Sequence, residues 1–410
     1  MLAVGSALVA ALIAVAGSHL NPHSGIEGSG KANIFEFQGS AHRQIMSLSA
    51  ATPDHPWRER SERNATRLGE PLTAETGAAF LESLGWSEFF AEQLQPGEED
   101  LVPRRIAEVH RSRLSVASQT GLVRLGISHQ VNTGEFAVGD WVLAKPHDHA
   151  LVRRLDRRTL LQRRTEGRQH QQLGAANVDT LLIVTSCNAD FNVARLERYM
   201  ALANQAGTAP VIVLTKADLV PDAETYEEQA KALQRDLPVV VLNAKNEDAV
   251  AALAPWCQFG QTIALIGSSG VGKSTLVNTL AGLSGEGSQE TGGIRERDAK
   301  GRHTTTARSL HAMAGGGWVI DTPGMRTLHV SDVAEGIDLV FSEITELAPH
   351  CRFRDCTHDH EPGCAVQAAV DAGTLPAERL ARWRTLLAEN RKNTPQMTGP
   401  RGNKVLQKKR

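Results

Sequence analysis

The 410-residue chain lacks a charge excess of either sign: 44 Lys and Arg stand against 46 Asp and Glu, a formal net charge of −2. That excludes a molecule drawn as a whole to nucleic acid, so any RNA contact must come from local basic patches. Cysteine is scarce. Five residues, an odd number with Cys351, Cys356 and Cys364 clustered, exclude a disulfide framework and fit a reducing compartment with one metal site. A convincing membrane-crossing run is missing as well. The apolar residues 2–16 imitate a signal peptide through the step Ala14-Val15-Ala16, but the run is too short to cross a bilayer comfortably and no Lys or Arg precedes Lys31. These absences lead to the expectation of a cytoplasmic protein with no membrane association. They also suggest translation from Met46, with residues 1–45 a gene-model artefact.

What is present is 41% hydrophobic and 22% charged, the composition of a soluble globular chain long enough for several domains. Residues 1–75 are expected to be a disordered or mis-annotated extension, because 17–75 is rich in Gly, Ser, Pro and charge. Residues 76–104 are expected to be an N-terminal helical segment; the helical pattern itself runs over 73–94, with Phe80, Leu81, Leu84, Trp86, Phe89 and Phe90 on its apolar face and Pro96-Gly97 at its end. Over 105–170, short β-like runs at 121–125, 135–138 and 140–144 between turn residues predict a small β-barrel. Seven arginines between Val152 and Arg168 read either as a solvated charged edge or as an RNA-facing strip beside that barrel. Residues 171–330 alternate buried-type strands (180–185, 210–214, 238–242 and 262–266) with helical stretches at 194–205 and 223–235. That pattern implies an α/β domain with a mostly parallel sheet. Residues 331–392 read as helical around a Cys/His cluster. The tail 393–410 is expected to be disordered; from 391 onward the chain has seven basic residues and no acidic one, and could touch RNA phosphates.

Gly267-Ser268-Ser269-Gly270-Val271-Gly272-Lys273-Ser274, followed by Thr275, matches the phosphate-loop pattern G-x-x-x-x-G-K-[ST]. It follows an apolar strand and opens a helix. The glycines let the backbone curl so that successive N–H groups face phosphate oxygens, and the helix N-terminus adds a positive dipole end. Lys273 is expected at the β- and γ-phosphates and Ser274 on Mg²⁺. The competing reading, a Gly-rich turn with a chance Lys-Ser, does not explain the strand–loop–helix setting. Asp321-Thr322-Pro323-Gly324 ends a later strand. There Asp321 suits Mg²⁺ through water, and the Gly324 N–H suits the γ-phosphate. Between the two lies Gly301-Arg302-His303-Thr304-Thr305-Thr306, a candidate mobile switch with a threonine, taken as Thr305, for Mg²⁺.

Thr215-Lys216-Ala217-Asp218 at the end of one strand and Asn243-Ala244-Lys245 at the end of the next suggest a guanine site. The Asp218 carboxylate can accept from guanine N1–H and the 2-amino group, which adenine lacks in that place. The Lys216 stem can lie along the base, and the Ala244 N–H can reach O6. Thr215 stands where such motifs usually carry Asn, and Asn243 where Ser is common, so somewhat weaker base selectivity is expected. Both guanine segments precede the phosphate loop in the chain, the reverse of an ordinary GTPase. The order therefore predicts a circularly permuted domain, a rearrangement that preserves the site because domain termini commonly lie close together.

Cys351-x4-Cys356-x-His358-x5-Cys364 offers three thiolates and an imidazole within 14 residues, a closed set for one structural Zn²⁺, with His360 as an alternative nitrogen ligand.

With these motifs in place, residues 80–390 resemble the bacterial family of circularly permuted GTPases that depend on the small ribosomal subunit. Leu84-Gly85-Trp86, Val138-Gly139-Asp140-Trp141-Val142 and Ala176-Asn177-Val178-Asp179 carry the resemblance together with the switch, D-T-P-G and Cys/His motifs. It implies three parts: an N-terminal OB-type β-barrel, a central permuted α/β P-loop GTPase domain, and a C-terminal α-helical zinc-binding domain. It further implies GTP and GDP as ligands, docking on the 30S subunit and its 16S rRNA, and subunit-stimulated hydrolysis; a monomer is the expected state. Met325 stands where many GTPases place a water-orienting Gln. The family suggests His303 in that role, against the plainer reading of a surface loop residue. Two alternatives to the main function stay open: a GTP-switched rRNA-binding module with negligible hydrolysis, and a permuted GTPase acting on the large subunit.

Overall fold

The computed structural model describes residues 74–164, 171–246, 248–282, 309–313, 315–321 and 331–394. The expected N-terminal extension and Met46 start, the switch motif with His303 and Thr305, Gly324, Met325 and the basic tail beyond 394 lie outside the described residues.

Two helices, α1 (Ala74–Ser83) and α2 (Glu88–Ala91), replace the single helical stretch the periodicity predicts. Gly85 separates them at φ 84°, where a Cβ would lie 2.6 Å from the Gly260 carbonyl. Trp86 then packs on Phe90 and Trp141, with ring centroids 5.6 and 4.9 Å away.

Five strands follow: β1 (Val102–Val109), β2 (Leu114–Ser118), β3 (Gly121–Arg124), β4 (Trp141–Ala144) and β5 (Leu151–Arg154). β1 pairs antiparallel with both β2 and β4, β2 pairs with β3, and β4 with β5. A parallel bridge from Gly126 to Ala150 joins the end of the β3 segment to the start of β5, so the pairings run around a ring and return to β1. Ile106, Leu114, Val116, Leu125, Val142 and Ala144 fill its interior. The expected strand at 135–138 does not form. Thr133–Glu135 is a 3-10 turn capped by the Asn132 side chain, and Val138 makes only an isolated bridge to Ala175. The chain must turn at Gly139, whose φ of 93° brings it so close to Ala176 that a Cβ would sit 2.1 Å from the Ala176 carbonyl.

β6 (Leu160–Arg164) and β7 (Gln171–Ala176) form a separate two-stranded sheet. The arginine run is tied down where its side chains are described. Arg153 holds Glu98 through two bonds of 2.7 Å, Arg157 grips both oxygens of the buried Asp140 at 2.6 and 2.7 Å, Arg154 donates to the Glu135 carbonyl, and Arg158 pairs with Asp179. These arginines join segments of the fold instead of forming a free basic strip.

The next elements alternate: β8 (Thr180–Ser186), α3 (Val193–Gln205), β9 (Ala209–Thr215), α4 (Ala223–Lys231), β10 (Val239–Val241), α5 (Asp248–Leu253), β11 (Thr262–Ile266), α6 (Lys273–Ala281), β12 (Ser309–Ala312) and β13 (Trp318–Asp321). Every residue of β8 and β11 is buried, the mark of strands covered on both faces. Their spatial order is β10-β9-β8-β11-β13-β12, parallel except for β12. Counting β11, β12, β13, β8, β9, β10 as strands one to six gives the order 2-3-1-4-5-6. β11 is central, and its carboxyl end lies where a phosphate loop in an open α/β sheet belongs. The sheet continues past β12 into β1 through the pair Glu108↔Ser309.

Four helices end the described chain: α7 (Ala334–Val340), α8 (Ser342–Leu347), α9 (Ala365–Asp371) and α10 (Ala377–Asn393). α7 crosses α3 so closely at Gly336 that a Cβ there would lie 2.0 Å from the Ala201 carbonyl. α10 is anchored by the buried Arg379, which bonds Glu197 of α3 at 2.6 Å, Glu343 of α8 at 2.7 Å and the carbonyls of Leu233 and Val340.

Candidate nucleotide site and metal centre

β11 delivers Gly267 at the mouth of the sheet with φ 151°, and a Cβ there would lie 2.1 Å from the Val184 carbonyl on the neighbouring strand. Only glycine fits. The loop closes on Gly272, left-handed at φ 97°, which caps the N-terminus of α6. Lys273, the first residue of that helix, folds back over the loop and donates to the Gly267 carbonyl at 2.8 Å and to that of Ser268. Ser269, Gly270 and Ser274 are exposed, Ser268 and Thr275 half-buried, and Val271 fully buried in the core beneath.

The two base-side segments meet this loop. β9 ends at Thr215, whose hydroxyl lies 2.7 Å from the Val271 carbonyl and 3.1 Å from that of Thr185. A Cβ on Gly272 would touch the side chains of both Thr215 and Ala244 at 3.6–3.8 Å. Thr279 of α6 donates to the Ala244 carbonyl at 2.8 Å, fixing the third segment to the phosphate-loop helix. Lys216 is left-handed at φ 58°, and Asp218 follows in a 3-10 turn with an exposed carboxylate. Asn243 turns its side chain to the Lys245 N–H at 3.0 Å. The structure thus brings the phosphate loop, Gly267, Ser268, Ser269, Gly270, Val271, Gly272 and Lys273 with Ser274 and Thr275 in the first turn of α6, against Thr215 and Ala244; Lys216 and Asp218 follow Thr215, and Asn243 precedes Ala244, in the same two segments. Asp321 ends β13, the strand parallel to β11 on its other side.

Sequence reasoning passed over the supports. Arg105 of β1 is 1% exposed and donates to Thr262 Oγ1 at 2.8 Å, to the Asn177 carbonyl at 3.2 Å and to the Leu84 carbonyl. Burial lowers its pKa to about 10, which leaves it charged at neutral pH. The Asn177 side chain in turn bonds the Gly139 carbonyl and the Arg158 N–H. The three motifs around Gly85, Gly139 and Asn177 are therefore one junction, and no local signal in the sequence marks Arg105 as part of it.

Cys351, Cys356, His358 and Cys364 converge, with their ligand atoms all within 4.8 Å of one another. Cys351 Sγ lies 3.8 Å from Cys364 Sγ, and both sulfurs lie 3.5 Å from His358 Nδ1. A tetrahedral ion with bonds near 2.3 Å requires edges of roughly 3.8 Å, so the cage fits one metal ion. Gln367 holds the His358 carbonyl at 2.6 Å and Arg384 of α10 donates to the same oxygen. Burial opposes a Cys351 thiolate, but donors that include the Val366 and Ala365 N–H groups at the start of α9 more than offset it and lower its pKa. His360 is exposed beside Asp359 and outside the cage.

The RsgA GTPase family matches residues 154–331. A small ribosomal subunit biogenesis GTPase RsgA from Mesorhizobium japonicum is 67% identical over 337 residues, 82% of this chain and 97% of that protein. One of the same name from Streptomyces coelicolor is 41% identical over 76% of this chain and 87% of its own length. Among solved structures, YjeQ from Thermotoga maritima and YloQ, described as a circularly permuted GTPase, each align with a TM-score of 0.52 at 24% identity. They cover 70% and 74% of this chain and 97% and 99% of their own. The permuted strand order and the rebuilt phosphate and base segments agree with these likenesses, and the chain belongs to the RsgA family of small ribosomal subunit biogenesis GTPases.

Proposed function

We propose that this protein binds GTP, hydrolyses it to GDP, and does so while bound to the maturing 30S subunit, which stimulates the reaction. The observation that carries the reading is the meeting of Gly267–Lys273 with Thr215 and Ala244 at one mouth of the sheet. In the proposed complex the loop N–H groups and Lys273 hold the β- and γ-phosphates, with the Gly324 N–H completing the γ-phosphate contacts. Asp218 accepts from guanine N1–H and the 2-amino group, Lys216 lies along the base, and Ala244 N–H meets O6. Mg²⁺, held by Ser274, Asp321 and Thr305, would supply charge neutralisation at the phosphates when bound; the exposed Ser274 at the start of α6 suits that role. His303 orients the water that attacks the γ-phosphorus, and Lys273 stabilises the charge that develops as the bond to the β-phosphate oxygen breaks.

The ring of β1 to β5 supports an OB-type barrel facing 16S rRNA, and the Cys351–Cys356–His358–Cys364 cage supports a single structural Zn²⁺. We read the protein as a cytoplasmic monomer; among the described residues no helix is long and apolar enough to cross a membrane. Co-sedimentation tests the partner. The protein with a non-hydrolysable GTP analogue should pellet with 30S and not with 50S subunits; pelleting with 50S alone would overturn the assignment.

A further inference from the structure

We infer that α10 couples the metal cage to the parallel-sheet domain, with Arg384 as the positioning residue at the cage end and Glu197 of α3 as the anchor at the other. The basis is one helix with two occupied sides. At about 3.6 residues per turn, Arg379, Arg382, Leu386, Glu389 and Asn390 fall within about 100° of one another, while Arg384 lies at least about 120° from that face.

The first side seats α10 on α3 and α7. Glu197 is 1% exposed, and its carboxylate accepts from Arg379 at 2.6 Å and from Arg382 at 2.9 and 3.0 Å. Arg198, the next residue of α3, bonds Glu389 at 3.2 Å. The Asn390 side chain accepts from the Val333 N–H at 3.1 Å, just before α7. A shift of α10 would leave the enclosed Glu197 carboxylate without its arginines, which is costly, so this seat is sharply defined.

The other side holds the histidine of the cage. Arg384 donates to the His358 carbonyl and pairs with Asp359 at 3.4 Å, and the Trp383 ring lies 5.5 Å from the imidazole. His358 is left-handed at φ 60°, a conformation uncommon outside glycine. Donors on its carbonyl therefore fix the backbone from which the ring reaches Cys351 and Cys364. Gln367 supplies one donor, but it belongs to α9, which Cys364 of the cage itself caps. Arg384 is the donor that comes from the helix seated on α3. Groups that hold a metal ligand in place change metal affinity without touching the ion. Coupling is reciprocal: if loading the cage steadies α10 on α3, loosening α10 from α3 weakens metal binding by the same factor.

The inference rests on the reading of Cys351, Cys356, His358 and Cys364 as a metal site. The test measures the Zn²⁺ affinity of the full chain by competition with a chromophoric chelator. It compares the wild type, Arg384→Met, Glu197→Gln, the double variant, and Val116→Ala, a cavity in the five-stranded ring away from α10. The expected loss is about tenfold or more for R384M and about fivefold for E197Q, although the partners of Glu197 lie on α10 and not in the cage. Once Arg384 is replaced, E197Q should cost less than about twofold more. V116A should bind as the wild type does. Unchanged affinity in E197Q, or the same loss from E197Q with and without Arg384, would overturn the inference. So would an equal loss in V116A, which would mark general destabilisation. With Co²⁺, every variant should keep the tetrahedral spectrum of three thiolates and an imidazole; a lost ligand in R384M would contradict a positioning role. Should E197Q fail to fold, Arg382→Met removes the more exposed of the two arginines and is expected to weaken Zn²⁺ binding about twofold to threefold; no loss there contradicts the coupling. A wild-type chain that binds neither Zn²⁺ nor Co²⁺ would sink the metal-site reading itself, a failure distinct from all of these.

Discussion

Arg105 on β1 donates to the hydroxyl of Thr262, the first residue of β11, at 2.8 Å. The strand that ends in the phosphate loop therefore starts on a guanidinium supplied by the five-stranded ring. Arg105 also serves the Leu84 and Asn177 carbonyls, so one buried cation joins the N-terminal helices, the ring and the parallel sheet. Arg105→Met would leave these acceptors unpaired in the interior. We expect a loss of about 2–4 kcal/mol in stability by chemical denaturation. A loss below 0.5 kcal/mol, on the scale of a surface substitution, would show that the junction is dispensable.

Lys273 lies over the loop carbonyls it would exchange for phosphate oxygens. Lys273→Ala is expected to reduce GTP turnover by about a hundredfold or more while leaving the fold intact by circular dichroism, because charge stabilisation dominates phosphoryl transfer. Turnover within about threefold of the wild type would contradict its role.

Asp218 presents an exposed carboxylate beside the left-handed Lys216. Asp218→Asn replaces an acceptor pair with one acceptor and one donor. It should weaken GTP binding at least about tenfold and improve binding of the xanthine nucleotide, whose 2-position carries a carbonyl oxygen. Calorimetry with both nucleotides reads the exchange.

The five thiols should divide by environment. Burial pushes Cys257 up to about 12 and raises Cys187 as well, so both stay protonated and inert at pH 8. A raised folded-state pKa favours the folded protein fully below the ordinary thiol value near 9. For Cys257 that contribution is lost only as pH rises through about 12. The three caged thiols would be protected by a bound metal ion instead. Titration with a thiol reagent at pH 8 should find no fast-reacting thiol in the metal-loaded protein, three after chelation and all five in denaturant. Five fast thiols on chelation alone would mean that the cage supports the entire core.

The nucleotide loop was legible because its glycines and lysine form a local pattern imposed by backbone geometry: Gly267 and Gly272 occupy conformations that leave few residue choices. β8, β9 and β11 were legible from their apolar runs, and the metal cage from spacing. What was hidden depends on contacts distant in the chain. Nothing local says that Thr215 reaches Val271, or that Arg105, an arginine within a strand, is buried. The stretch 135–138 has strand-like residues, but the close approach of Gly139 to Ala176 decides its path. The arginine run showed its charge without its partners; Asp140, Glu98 and Asp179 come from three other segments.

The most direct test of the central claim is GTP hydrolysis by the purified protein, alone and with 30S or 50S subunits, with ATP as control. The account predicts slow turnover alone, strong stimulation by 30S only, and no turnover of ATP. Stimulation by 50S, or none by 30S, would contradict a reaction coupled to the small subunit.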